Sequence, residues 1–209
     1  MSKSLIVACD GEAPSGKSTG AKLLSKKYKL FLLNSGLLYR YASKILITKK
    51  PKKPIQYLKK IFKKVSYNLI QKQSLHSQEI SNHVGYLAKY KAVREIMRIY
   101  QKKIIKKNKR LCVEGRDIAT KILNKNPRYD LAFYFTCKIS IASKRRWKEL
   151  KKKVTLKEVQ KSLVKRTKMD KKRKHSPLKK VKDAVLIRTD RLSKKEVLNR
   201  MSNEVDKII

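Results

Sequence analysis

The sequence predicts an α/β protein in which helices cover a central parallel sheet, giving three layers. Short apolar runs recur along the chain with helix-like segments between them, an alternation that is typical of a parallel sheet. The first run is continuous rather than alternating, as expected of a strand that is buried on both faces. The predicted strands are SLIVAC at 4–9, LFLL at 30–33, RLCVEG from 110, DLAFYF at 130–135 and AVLI at 184–187.

Three segments between and after these runs carry helical patterns. From Leu87 onward, apolar residues recur every three or four positions, namely Tyr90, Val93, Met97, Tyr100 and Ile104. A capping box, Thr155 to Glu158, opens a predicted helix over 155–173. A second box, Ser193 to Glu196, opens a final helix that we expect to bury Val197, Met201, Val205 and Ile208.

The segment from about 48 to 75 is different from these helices. It is basic, contains Pro51 and Pro54, and shows no clean period. We therefore expect an insertion here that is rich in loops or built from short helices.

The charge balance is strongly basic, with 57 Lys and Arg against 15 Asp and Glu, a net charge of +42. A surface of this kind attracts polyanions such as nucleic acid, nucleotides or acidic membranes. The lysines are nevertheless spread along the whole chain in short runs, which favours a dispersed, solvated surface. Both interpretations stay open at this point.

Cysteine and histidine usage indicates a reducing compartment. Cys9, Cys112 and Cys137 are far apart, without a CxxC pair, and the three histidines lack the spacing of metal ligands. The sequence also contains no apolar run of the roughly 18 residues that a membrane helix needs. We therefore expect a cytoplasmic protein without a disulfide framework.

The stretch that follows the first strand fits the pattern G-x-x-x-x-G-K-[ST], running from Gly11 to Ser18. Glycines allow the backbone to fold around an anion, and the helix that follows adds the positive end of its dipole. In this pattern the lysine, Lys17, reaches the outer phosphates and the Ser18 hydroxyl binds Mg²⁺. The sequence therefore predicts a P-loop NTPase-type fold that binds ATP and Mg²⁺ through Gly11, Glu12, Ala13, Pro14, Ser15, Gly16, Lys17, Ser18 and Thr19.

Three further clusters are candidates for binding a second substrate. Ser35 and Arg40 follow the second strand, and Arg116 and Asp117 follow the third, at the strand ends where parallel sheets bind ligands. The last cluster places a cation, an anion and a cation on one helix face, namely Arg166, Asp170 and Arg173. Each cluster also has a plainer interpretation: Arg40 as an exposed surface residue, Arg116–Asp117 as a local pair, and the third set as an exposed ladder of ion pairs. Acidic residues are scarce, at 15 in the chain, and this scarcity favours a functional interpretation.

The motifs, read in order, resemble those of bacterial-type cytidylate kinases over most of the chain. They are DGEAPSGKST, NSGLLYR, VREIM, EGRDIAT, KRRWKEL and SPLKKVKDA. The resemblance implies transfer of the ATP γ-phosphoryl group to CMP or dCMP. It also implies one kinase domain with a core at about 1–35, 108–140 and 180–209, a monophosphate-binding insertion at about 36–107 and a helical lid at about 141–179.

The resemblance further implies a role for each matching position. Ser35, Arg94 and Asp117 would contact the cytosine base, and Arg166 with Asp170 would hold the sugar. Arg40, Arg116 and Arg173 would hold the acceptor phosphate, so that Lys17, Arg116 and Arg173 are the expected catalytic residues. Arg145 and Arg146 match the basic pair of the lid, and Arg145 would contact ATP.

The chain departs from the family pattern at Pro14, Gly85, Ala142 and Thr167, where the usual residues are Gly or Ala, Ser, Arg and Asp, respectively. The expected protein is a monomer that acts on small nucleotides. Two alternatives stay open: a P-loop kinase of another small acceptor, and a nucleic-acid-binding protein that retains a degenerate kinase fold.

Overall fold

A computed structural model describes residues 3–209 and confirms the predicted α/β architecture. The strands are β1 Leu5–Gly11, β2 Phe31–Asn34, β3 Arg110–Gly115, β4 Leu131–Thr136 and β5 Val185–Arg188. They form one sheet in the order β2-β3-β1-β4-β5. The helices are α1 Lys17–Lys27, α2 Ser35–Lys49, α3 Pro54–Lys64, α4 Tyr67–Gln71, α5 Gln78–Leu87, α6 Lys91–Ile105, α7 Ile139–Glu149, α8 Leu156–Lys172 and α9 Lys194–Asp206.

The chain divides into two compact units. The sheet unit contains residues 3–33 and 108–209, and the helical unit contains residues 34–107. Each of the five predicted strands coincides with an observed strand to within two residues at either end.

The first strand lies at the centre of the sheet and explains why its sequence is continuously apolar. β1 pairs in parallel with β3 on one side and with β4 on the other, and β4 pairs in parallel with β5. Because these strands run in the same direction, the segments that follow Gly11, Gly115, Thr136 and Arg188 emerge at one edge of the sheet. This carboxyl edge, as we call it below, carries most of the predicted motifs.

The core of the sheet unit is formed by β1, β4, α1 and α9. Val7, Cys9, Leu24, Phe133 and Met201 are all at most 1% exposed and pack in one cluster. A smaller cluster lies between α7 and α8, where Ala142, Val159 and Leu163 are buried beside Trp147. Both predicted capping boxes are present, at Thr155 and Ser193.

The helical unit corrects the expectation of a helix starting at Leu87. Leu87 is the last residue of α5, and Tyr90 is the N-cap residue of α6, with a side chain that makes no capping hydrogen bond and is 44% exposed. The apolar stripe of α6, the set of buried apolar residues along one face of this helix, therefore begins at Val93. Its last buried member is Ile105 rather than Ile104. A turn at Ala88–Tyr90 breaks the periodicity, and the sequence contains no glycine or proline there to mark it.

Within the segment 48–75, the structure contains short helices rather than long loops. Pro54 occupies the first turn of α3, where its missing amide hydrogen costs nothing, so it opens the helix instead of breaking it. Leu58 and Phe62 are four residues apart and buried, and the ring of Phe62 meets that of Tyr100 edge-on at 5.3 Å. At the other end of the chain, the expected burial of Ile208 is wrong, because α9 ends at Asp206 and Ile208 is 37% exposed.

Across residues 3–209, no helix combines the length and the apolar character required to cross a bilayer.

The packing of α9 on the sheet gives a stability prediction. Met201 is fully buried, and Met201→Ala is expected to lower the free energy of unfolding by about 2–5 kcal/mol, because it removes buried methylenes and leaves a cavity. The matched control is Lys195→Ala on the exposed side of the same helix, with an expected change of less than about 0.5 kcal/mol. Urea denaturation of both variants measures the difference, and equal losses would contradict this account of the core.

Candidate active site

The predicted P-loop connects β1 to α1 at the carboxyl edge, and its glycines are required by geometry. A Cβ atom on Gly11 would lie 2.3 Å from the carbonyl oxygen of Phe135, closer than any real contact. Gly16 has a φ of 78°, in the left-handed region that favours glycine. The loop therefore adopts its turn only with these two residues, as an anion-binding backbone requires.

Lys17 and Ser18, at the start of α1, both contact one carboxylate oxygen of Glu114. Lys17 Nζ lies 3.0 Å from Glu114 Oε2, and Ser18 Oγ donates to the same atom at 2.7 Å. Lys17 is 6% exposed and Glu114 is 1% exposed, so this is a buried ion pair. Burial lowers the pKa of Lys17, and the charge of Glu114 opposes that change. Sequence reasoning placed Lys17 and Ser18 here but assigned no role to Glu114.

Arg145, from α7, holds the loop that follows β5. Its guanidinium donates to the Thr189 hydroxyl at 3.0 Å and to the Thr189 carbonyl oxygen at 2.7 Å. The Thr189 hydroxyl in turn donates to the carbonyl oxygen of Ser15 in the P-loop at 3.0 Å. Thr189 thus connects Arg145 to the P-loop backbone through hydrogen bonds. Like Glu114, Thr189 is a residue of the candidate site that the sequence motifs did not reveal.

Asp10, the residue before the P-loop, anchors the segment that carries Arg116 and Asp117. Its two carboxylate oxygens accept hydrogen bonds from the amides of Ile118 and Ala119, at 2.9 and 2.8 Å. Burial raises the pKa of Asp10 to about 6, and the two amide hydrogen bonds counteract this rise. These bonds fix the chain directly after β3, where a short π-helical turn spans Ile118–Ile122.

The three arginines of the predicted acceptor cluster in the sheet unit converge on Asp170. Arg116 and Arg173 each approach its carboxylate at 3.2 Å, and Arg166 approaches it at 4.0 Å. Arg173 also lies 3.9 Å from Asp117. Burial, followed by the positive charge of Arg116, lowers the pKa of Arg166 to about 10. The structure therefore brings Arg116, Asp117, Arg166, Asp170 and Arg173 together, with more cations than anions.

Three further predicted residues belong to the helical unit, namely Ser35, Arg40 and Arg94. Arg40 on α2 donates to the carbonyl oxygen of Leu75 at 2.9 Å and to the hydroxyl of Ser81 at 3.0 Å. Arg94 on α6 is buried, donates to the carbonyl oxygen of Ala88 at 3.3 Å and lies 5.7 Å from the ring centre of Tyr39. Ser35 is the first residue of α2 and is also buried.

Comparison with known proteins supplies the observation that decides the family. A family profile described as cytidylate kinase matches residues 7–207, nearly the entire chain. The chain belongs to the cytidylate kinase family. The resemblance inferred from the sequence motifs is therefore confirmed, and with it the prediction of a nucleotide-binding kinase.

Individual relatives within and beyond the cytidylate kinase family agree with this result. A cytidylate kinase from Thermosipho melanesiensis is 35% identical over 207 residues, which cover 93% of this chain and 94% of that protein. A bifunctional pantoate ligase/cytidylate kinase from Prochlorococcus marinus subsp. pastoris is 34% identical and aligns with 97% of this chain, which spans only 43% of that longer protein. A shikimate kinase structure from Bacteroides thetaiotaomicron, 10% identical, has a TM-score of 0.52 over 97% of this chain and 98% of that one. This last likeness concerns the fold alone and supports the P-loop NTPase-type architecture.

The raised pKa of Asp10 gives a pH prediction. A carboxyl whose pKa moves from 3.8 to about 6 on folding is favoured in its protonated form, so its contribution to stability falls as the pH rises from about 4 to 7. At about 1.4 kcal/mol per pH unit, the full change is roughly 3 kcal/mol. Asp10→Asn removes the titration, so the free energy of unfolding of the wild type minus that of the variant should decrease over this range.

The control for this measurement is Asp183→Asn. Slight burial raises the pKa of the exposed Asp183, but hydrogen bonds from Tyr129 and its own backbone amide outweigh it and lower the pKa overall. The sign is therefore opposite, and the corresponding difference should grow as the pH rises from acid. A difference for Asp10→Asn that stays constant from pH 4 to 7 would contradict the raised pKa.

Proposed function

We propose that this protein transfers the γ-phosphoryl group of ATP to CMP or dCMP. An oxygen of the acceptor phosphate attacks the γ-phosphorus, the bond from that phosphorus to the β-phosphate oxygen breaks, and ADP and CDP or dCDP leave. The observation that carries this proposal is the match of residues 7–207 to the cytidylate kinase family. We further expect a cytoplasmic monomer that acts on small nucleotides.

On the donor side, the proposal assigns the triphosphate to the P-loop backbone and to Lys17. Lys17 would exchange its contact with Glu114 for the outer phosphates of ATP. Ser18 and Glu114 offer two oxygen ligands of the kind Mg²⁺ prefers, and their oxygens are 2.7 Å apart. When bound with ATP, Mg²⁺ supplies positive charge that offsets the charge of the phosphates. Arg145 would act near the same end of ATP through the contact of Thr189 with the P-loop.

On the acceptor side, the proposal assigns the phosphate of CMP to Arg40, Arg116 and Arg173. Phosphoryl transfer needs two anionic groups held in line with their charge offset, more than it needs covalent help from the protein. The surplus of cations around Asp170 supports this assignment, because an incoming phosphate would compensate it. Arg166 and Asp170 would hold the sugar, and Ser35 and Arg94 would contact the base.

The same proposal makes Asp117 the residue that distinguishes cytosine from uracil. A carboxylate accepts a hydrogen bond from the amino group of cytosine, whereas uracil presents an oxygen acceptor at that position. Asp117 is buried and lies 3.9 Å from Arg173. A base that reached Asp117 would therefore lose its hydrogen bonds with water and gain one with a charged group. The preference for CMP over UMP would therefore depend on the Asp117 carboxylate, which would face an oxygen of uracil without a hydrogen bond in the UMP complex.

The reaction is tested by ADP release from the purified protein with ATP, Mg²⁺ and CMP, dCMP, UMP or AMP in turn. We expect CMP and dCMP to stimulate release strongly, and UMP and AMP to do so weakly. Lys17→Ala is the control, because it removes the buried cation of the P-loop; it should abolish release while circular dichroism still reports a folded protein. Release stimulated by none of the four acceptors, or best by AMP, would contradict the proposed function.

Asp117→Asn tests the assignment of base selectivity. The variant is expected to lower the ratio of kcat/KM for CMP to that for UMP by about tenfold or more, the range of a hydrogen bond to a charged group. The ratio is the useful readout, since any disturbance of Arg173 affects both acceptors equally. In the same unit, Asp183→Asn replaces an exposed carboxylate and should leave the ratio unchanged. If both variants retain the wild-type ratio, Asp117 is not the residue that reads the base.

A further inference from the structure

The second residue of the P-loop, Glu12, places a carboxylate in a loop whose backbone is built to attract anions. Its backbone is held on both sides. The Glu12 amide donates to the carbonyl oxygen of Phe135 at 3.3 Å, and its own carbonyl oxygen accepts from the Ser15 amide at 3.2 Å and the Ser15 hydroxyl at 2.8 Å. The side chain is only 21% exposed, so Glu12 cannot simply turn its charge into solvent.

Lys171, near the end of α8, compensates this charge. Its ammonium lies 2.6 Å from Glu12 Oε1 and forms an ion pair across the opening between α8 and the P-loop. Glu12 and Lys171 both line a cavity of about 370 Å³ whose wall includes Pro14 and Ser15 of the loop and Lys168 and Lys172 of the helix. All of these residues belong to the sheet unit.

A free carboxylate at this place would oppose the binding of a triphosphate. Two like charges about 4 Å apart repel strongly where water is partly excluded, and the P-loop draws the β- and γ-phosphates toward its backbone. The attraction of the phosphates by the backbone amides and Lys17 would then be partly cancelled by their repulsion from Glu12. Lys171 removes this conflict only if the ion pair persists, or if its ammonium contacts Glu12 and a phosphate together.

We propose that Lys171 is a donor-binding residue of this kinase, which neutralises Glu12 and thereby permits the triphosphate of ATP to occupy the P-loop. This inference rests on the proposed use of ATP, but it does not depend on the identity of the acceptor. It also assigns a role to α8 on the donor side, in addition to the acceptor cluster formed by Arg166, Asp170 and Arg173 on the same helix. Lys168 and Lys172 line the cavity without a carboxylate partner in the described ion pairs and serve as comparisons.

A double-mutant cycle tests the proposal by titration calorimetry of ATP with Mg²⁺, in the absence of any acceptor. The four proteins are the wild type, Glu12→Gln, Lys171→Met and the double variant, which keep the length of both side chains. Lys171→Met is expected to weaken ATP binding by about tenfold, whereas in the Glu12→Gln background the same change should cost less than about threefold. AMP, which lacks the β- and γ-phosphates, should show little of this coupling.

Lys172→Met is the matched control, since it removes a neighbouring lysine of the same cavity that forms no ion pair with Glu12 in the described part of the chain. Its effect on ATP binding should be equal in the two Glu12 backgrounds. Equal losses for Lys171→Met in both backgrounds, or no loss in either, would overturn the proposal. Thermal unfolding of each variant identifies a loss of fold, in which case Lys171→Gln, which also removes the positive charge, replaces Lys171→Met in the cycle with the same expected losses.

The outcome can be separated from that of the proposed function. If the cycle shows coupling while CMP fails to stimulate ADP release, the role of Lys171 stands and the acceptor assignment falls. If CMP stimulates release while the cycle shows no coupling, the function stands and the role of Lys171 falls. A wild-type protein that does not bind ATP would contradict both.

Discussion

The parallel pairing of β1 with β3 and β4 is the interaction on which the rest of the structure depends. It places the P-loop, the Arg116 segment and the start of α7 at one edge of the sheet, although they are far apart in the sequence. The pairing also demands glycine at position 11, because β4 passes so close that the carbonyl oxygen of Phe135 fills the space of a side chain. The anion-binding loop is thus a consequence of how the strands pack, as much as of its own sequence.

Most of the fold was accessible from the sequence because its strands are short, apolar and separated by helices. A continuous apolar run such as that of β1 is expected of a strand that is buried on both faces, and β1 does lie at the centre of the sheet. The boundary between α5 and α6 was not accessible. Tyr90 falls on the apolar stripe by spacing, yet it caps the helix and remains 44% exposed. The spacing of apolar residues does not distinguish an exposed tyrosine at a turn from a tyrosine that is buried in a helix.

Some residues of the candidate site could likewise be predicted from the sequence, and others could not. Lys17, Ser18, Arg116 and Asp170 were marked as candidates by family motifs and helix spacing. Glu114 and Lys171 were not, since a glutamate inside a strand and one lysine among many carry no local signal. Their partners come from other segments: Lys17 is 97 residues from Glu114, and Lys171 meets Glu12 at the opposite end of the chain. Only the sheet topology brings such pairs together, so no pattern within a short window can predict them.

The distribution of carboxylates explains how so basic a protein can hold its functional cations in place. Asp10, Glu12, Glu114, Asp117 and Asp170 are five of only 15 acidic residues, and all lie in or beside the site at the carboxyl edge. Four of them contact cations of the candidate site: Glu114 contacts Lys17, Glu12 contacts Lys171, Asp117 lies 3.9 Å from Arg173, and Asp170 contacts three arginines. Glu114 and Asp170 offset part of the cost of burying the cations beside them, whereas the side chain of Lys171 is 50% exposed. In the helical unit, Arg40 donates to carbonyl and hydroxyl oxygens, and Arg94 donates to a carbonyl oxygen and lies beside an aromatic ring. A phosphate that approaches Lys17 must compete with Glu114 for its ammonium group. Within the sheet unit, carboxylates thus position the cations of the candidate site, and an incoming phosphate must compete with these carboxylates for them.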